Sequence, residues 1–144
     1  MKKITLALGL LATAVLTHAA DPLNGTVWKT IDDKTNQPKA LVKFTEQKNG
    51  TLSASIQSVL TPGEEKICTK CEGAYHNKSL NGVTIVRNLK NVGGQYQDGT
   101  ILDPKSNKSY SLKGKLADGG KRLELRGYMG VSALGRNQTW IRAN

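Results

Sequence analysis

From residue 26 onward, apolar and polar side chains alternate with a period of two rather than 3.6, the pattern of strands that bury one face. Residues 26–31 form the first expected strand and carry Trp28. The polar run Asp32-Asp33-Lys34-Thr35-Asn36-Gln37-Pro38 ends it. Residues 40–46 place Val42 and Phe44 on one face, with Lys43 and Thr45 on the other. Asn49-Gly50 then signals a hairpin, because a type I′ turn needs positive φ at both central residues. Residues 51–59 return with Leu52, Ala54 and Ile56 on one face and Ser53, Ser55 and Gln57 on the other. Residues 60–81 lose the alternation. They hold Pro62, Gly63, Glu64-Glu65, Cys68, Cys71, Gly73 and His76, and are expected to form one long loop. Strands resume at 83–89, 95–102, 108–116, 122–128 and 137–142, with Asp103-Pro104 and Asp118-Gly119-Gly120 as turns between later pairs.

Eight short strands in meander order, with no helical stretch among them, predict an all-β fold. An antiparallel sheet of this size removes its edges by closing into a barrel. The outward positions would be Lys43, Ser53, Ser55, Lys113, Lys115 and Glu124, which cannot form the apolar band of an outer-membrane barrel. The inward set would be Trp28, Val42, Phe44, Leu52, Ala54, Ile56, Val83, Ile85, Arg87, Leu89, Tyr110, Leu112, Gly114, Leu116, Leu123, Leu125 and Gly127. Ala54, Gly114 and Gly127 add almost no volume, so the barrel either flattens at its glycines or keeps space inside.

The first residues have a different character. Lys2 and Lys3 precede an uncharged apolar run over 4–16, and Thr17-His18-Ala19 puts small residues where a signal peptidase reads. The run is too short to span a bilayer comfortably. Residues 1–19 are therefore expected to be a cleaved signal peptide, and 20–144 a single barrel domain, periplasmic or secreted and not membrane-spanning. The whole chain has 21 basic and 11 acidic residues, a net charge of +10, and loss of Lys2 and Lys3 lowers it by two. Such a balance favours an anionic partner in the envelope, or simply keeps a lysine-rich surface soluble. Nucleic acid is not expected as a partner.

Several blocks resemble the bacterial family catalogued as domain of unknown function 2147. They are Trp28-Lys29-Thr30-Ile31-Asp32-Asp33, Cys68-Thr69-Lys70-Cys71, Gly99-Thr100-Ile101-Leu102-Asp103-Pro104, and Arg126-Gly127-Tyr128-Met129-Gly130 with Gly135-Arg136-Asn137-Gln138-Thr139-Trp140. The resemblance implies an exported bacterial protein with a lipocalin-like (calycin) barrel. It implies no established activity and brings no catalytic residues with it. Two residues separate Gly25 from Trp28 here, where the family usually has one.

Candidate chemistry is sparse. Cys68 and Cys71 in an exported chain most simply form a disulfide. Zinc would need two further ligands, for which His76 with Glu64, Glu65 or Glu72 is available. A redox pair would sit at a helix start, and the surroundings here are loop. His76 is the one histidine beyond the leader, so a Ser/His nucleophile is nearly unavailable. No enzyme activity, cofactor or metal is expected.

Arg87 shares parity with Val83, Ile85 and Leu89, so strict alternation points it inward, while a bulge or a place at the mouth would let it reach water. Arg126 is on the outward parity. Gly130 and Gly135 hinge an apolar loop over 131–134, either an entrance flap or a cover over one barrel end. The expected function is binding of a small apolar or amphipathic ligand in a pocket formed by Trp28, Phe44, Ile85, Arg87, Tyr110 and Leu125. Arg126, Gly127, Tyr128, Gly130, Gly135, Arg136, Gln138 and Trp140 form the signature stretch around the 131–134 loop. The alternative is an envelope interaction protein whose basic exterior meets anionic surfaces.

Overall fold

A computed structural model of the chain describes residues 9–15, 18–63 and 66–144. Lys2, Lys3, part of the apolar run, Thr17 and the Glu64-Glu65 pair lie outside the described residues. Residues 9–15 have no regular structure, and Leu10, Leu11 and Val15 are exposed. Among the described residues, no helix is long and apolar enough to cross a membrane.

Eight antiparallel strands close into a barrel in sequence order. They are β1 (Val27–Ile31), β2 (Pro38–Glu46), β3 (Leu52–Val59), β4 (Thr84–Val92), β5 (Gln95–Asp103), β6 (Lys108–Ala117), β7 (Arg122–Tyr128) and β8 (Gly135–Arg142). Meander order puts the connections alternately at two ends. Residues 32–37, 60–63, 66–83, 104–107 and 129–134 share one end; 47–51, 93–94, 118–121, 21–26 and 143–144 share the other.

The second end is sealed. Leu23, Trp28, Phe44, Leu52, Leu89, Leu123 and Trp140 are almost wholly buried there, and the Phe44 and Trp140 rings meet at 6.2 Å between centroids. Trp28 donates its indole N–H to Thr26 Oγ1 at 2.7 Å, and Thr26 donates its hydroxyl to the Leu23 carbonyl at 2.6 Å. The Arg142 guanidinium lies 5.9 Å from the centre of the Trp28 ring, a spacing that lets the cation meet the negative face of the indole. Trp28 thus stands on the barrel floor despite the extra residue after Gly25.

Residues 21–25 strap this floor. The Asp21 carboxylate accepts from Tyr96 Oη at 2.9 Å, from Asn91 Nδ2 at 2.8 Å and from the Leu23 amide at 2.8 Å. The Asp21 amide donates to Glu46 at 3.0 Å. Burial first, then the hydrogen bond to Asp21 and the charge on that carboxylate, push the Tyr96 phenol well above its ordinary 10.0. The raised value means that the fold holds the neutral phenol. Its contribution to stability is complete below about pH 10 and is lost as the pH rises further. Tyr96→Phe should cost about 1 kcal/mol near neutrality and make the alkaline fall in stability shallower, as urea unfolding at a series of pH values will show.

Candidate functional site

The first end is open. A cavity of about 650 Å³ enters the barrel from it, within the range usual for small-molecule sites. Its walls are Val42, Ile56, Ile85, Ile101, Leu112 and Leu125, with Trp140 at its base. Gly127 adds room, since a Cβ there would meet nothing closer than 3.8 Å. Tyr110 and Gln138 bring polar groups to the wall, while Lys39, Asp103, Lys105 and Arg136 stand around the rim with Met129 and Leu134.

Ile85, Tyr110 and Leu125 therefore line the space as the alternation suggests. Trp28 and Phe44 do not. They belong to the packed floor, because the segment carrying Leu23 fills that end and leaves them no free face.

Arg87 is a correction of a different kind: it is exposed. Ala54 pairs with Val86 and Ser55 with Thr84, so Ile85 is an extra residue in β4, and both Ile85 and Val86 turn inward and are buried. This bulge reverses the parity and puts Arg87 outside. A second irregularity at Asn88, whose φ is 56°, restores the inward phase at Leu89, which pairs with Leu52.

The cation on the inward phase is Arg136. β8 begins at Gly135, two residues before the expected Asn137. The pairing of Tyr128 with Gly135 and of Gly127 with Arg136 extends the ladder to the mouth. It can do so because Gly135 has no Cβ: one would come within 2.7 Å of the Gly127 carbonyl oxygen and 2.9 Å of Tyr128 Cβ. Arg136, Gln138 and Trp140 then follow one another down one face of β8, from rim to base. Trp140 donates its indole N–H to Gln138 Oε1 at 3.2 Å.

Arg136 donates through Nε to Asp33 Oδ2 at 2.5 Å, and its Nη2 forms an ion pair with the same oxygen. This bond crosses the seam that closes the barrel. β1 and β8 are in register at Trp28–Arg142 and Lys29–Ile141, near the sealed end; toward the mouth Arg136 and Asp33 join the two sides. Beside it, Lys39 lies 3.9 Å from Asp32. Hydrogen bonds from the Thr35 and Lys34 amides hold the Asp32 carboxyl below its ordinary value, which keeps it anionic.

Arg126 points outward, as expected, and has a definite role. Its Nε donates to the Ser132 carbonyl at 2.7 Å, its Nη2 to that of Ala133 at 3.3 Å and its Nη1 to Asn137 Oδ1 at 2.7 Å. It anchors the 129–134 loop, a 3-10 turn at Ser132–Leu134, over the wall from outside. Met129, Val131 and Leu134 remain exposed.

Cys68 and Cys71 are joined in a disulfide and are nearly buried. Cys68 Sγ lies 3.8 Å from the Pro104 carbonyl, so the bridge sets the 60–83 loop against the 104–107 turn beside the mouth. His76 Nδ1 lies 3.0 Å from the Cys71 carbonyl. Among the described residues, no three His, Cys, Asp or Glu side chains converge in a way that could hold a metal ion.

The model of a family described as an uncharacterised protein conserved in bacteria (DUF2147) matches residues 26–142. The chain belongs to that family. Its fold is shared with a solved structure reported as protein HP1028 from the human pathogen Helicobacter pylori, which belongs to the lipocalin family. The two are 23% identical, with a TM-score of 0.72 over 88% of this chain and 85% of the other. At that identity the likeness is one of fold. A search of curated proteins finds no match. Within the family domain, the four sequence blocks divide between the two ends of the barrel. Trp28 is part of the floor. Gly130, the cysteine pair and the Asp103-Pro104 turn surround the mouth, and the stretch from Arg126 to Trp140 runs from rim to base.

Two groups escaped the sequence analysis. Asp21 and Leu23 precede the alternating region, whose pattern assigns them no role, although Asn24-Gly25 marks a turn that could have folded them back. The Asp33–Arg136 pair spans 103 positions, and no local pattern announces it.

Proposed function

We propose that the protein is an exported, non-enzymatic binder of a small apolar or amphipathic molecule, held inside the barrel in the periplasm or outside the cell. The observation that carries this reading is the single-ended cavity of about 650 Å³ with largely aliphatic walls. Apolar surface of this kind gains by excluding water, and a lipocalin-like fold supports the same conclusion. The leader pattern of Lys2, Lys3, the apolar run and Ala19 supports export.

Trp140 at the base supplies the test. An alkyl chain carrying a bromine quencher should reduce indole fluorescence in a saturable way at one molecule per barrel, and the same chain without bromine should compete. Failure of both with folded protein would overturn the reading. A second reading, contact with an anionic envelope component, is favoured by the outward cations Lys29 on β1, Lys43 on β2, and Lys113 and Lys115 on β6. In that case binding to anionic vesicles should fall steeply as salt is raised, with the cavity empty.

A further inference from the structure

We infer that Arg136 receives the head of the ligand, and that the ligand is an amphiphile with one anionic oxygen-bearing head, such as a carboxylate. This rests on the binding function proposed above and adds the chemical class and the residue that selects it. A charged group cannot sit at the base, where Trp140 and the aliphatic walls offer it no counter-charge and burial of an unpaired charge is costly. The cations that line the cavity, Lys39, Lys105 and Arg136, all belong to the rim, and the lining has a single carboxylate, Asp103. An amphiphile that enters tail first therefore leaves its head beside these rim cations, two of which, Lys39 and Arg136, are held by Asp32 and Asp33 just outside the lining.

Among those cations, Arg136 has the best geometry. It follows Gln138 and Trp140 on the inward face of β8, and its partner in the register is Gly127, which puts no side chain beside it. Its planar fork can hold a carboxylate through two donors, which an ammonium cannot match. In this structure a carboxylate of the protein itself already occupies that fork. Asp33 accepts from both Nε and Nη2, with the two side chains 68% and 36% exposed. An ion pair so exposed to water contributes little, so a ligand whose tail is buried below can take the place of Asp33 at small cost. Asp33 then acts as a stand-in for the head group and holds the guanidinium in position.

The probes are dodecanoate and dodecanol, identical in tail and different in head, titrated into wild-type protein and into Arg136→Gln, Asp33→Asn and Arg87→Gln by calorimetry. Arg136→Gln should weaken dodecanoate by about tenfold, the scale of one charge-assisted contact, and leave dodecanol within about twofold. Asp33→Asn should tighten dodecanoate by removing its competitor, and Arg87→Gln should change neither. Circular dichroism melts establish that each variant is folded; Asp33→Asn keeps Arg136 and reads the same site if Arg136→Gln is not. Equal losses for both probes in Arg136→Gln, or an unchanged dodecanoate affinity in both rim variants, would overturn the inference. So would wild-type protein that binds dodecanol and rejects dodecanoate. If the wild type binds neither probe, the binding function fails, and this inference fails with it.

Discussion

Trp140→Ala is expected to cost about 3–5 kcal/mol, a large share of the 5–15 kcal/mol that typically separates a folded domain from its unfolded chain. Trp140 is almost fully buried, contacts Phe44, and is both the base of the cavity and part of the floor. The neighbours on these two sides come from different strands and cannot collapse together into the space an alanine leaves. Removing the chain from Asn137 onward goes further. β8 pairs with β7 from Arg122–Ile141 to Tyr128–Gly135 and with β1 at the seam. Its loss would leave β7 and β1 with unpaired edges, together with an exposed core. Urea unfolding followed by circular dichroism should show a much earlier midpoint for Trp140→Ala and no cooperative transition for the truncation. An equally stable truncated chain would mean that closure does not hold this barrel together.

Gly114→Val is the second large expected effect, and it arises from space rather than backbone conformation. A Cβ at Gly114 would come within 2.5 Å of the Glu124 carbonyl oxygen and 2.6 Å of Leu125 Cδ2. The carbonyl is part of β7, which pairs with β6 through Gly114–Leu125 and Lys115–Glu124, so it cannot retreat without opening the ladder. We expect destabilisation of about 3 kcal/mol, at the upper end of the usual cost of overpacking. Gly127→Ala is the matched control: its nearest contact would be at 3.8 Å, an ordinary packing distance. If the two variants unfold at the same urea concentration, the close approach at Gly114 does not constrain the wall.

These two glycines explain why the composition of the interior left two outcomes open. At Gly114 the neighbouring strand presses in and Leu125 takes up the volume; at Gly127 nothing does, and the cavity begins. Alternation alone carries no information about which neighbour will fill a missing side chain. It does recover the eight strands, their order and the inward faces of β1, β2, β3, β6 and β7, because a half-buried strand must repeat every two residues.

Alternation fails where the period itself fails. Between Ile85 and Leu89, two irregularities within a few residues hide each other: the phase at Val83 and at Leu89 is as expected, and only the residues between are displaced. Arg87 falls in that interval. At β8 the signal is of the other kind, since Gly135 reads as the end of a loop when in fact it lets two strands approach closely enough to pair. The candidate cation therefore moves from the middle of one strand to the outer end of another. The sealed floor was equally hidden, because its plug comes from outside the alternating region.

The barrel is closed at the floor and open at the mouth, and that asymmetry has a consequence for recognition. Whatever enters must do so end-on, so the group that stays at the mouth is in view from solvent after loading. If Arg136 takes the head group as proposed above, loading exchanges Asp33 for that head group at the guanidinium and releases Asp33 to solvent. On that reading occupancy would be written on one small face as a rearrangement of charge, beside the exposed side chains of Met129 and Leu134. A receptor, a membrane or a second protein could tell a full carrier from an empty one by touching that face alone, with no movement of the strands.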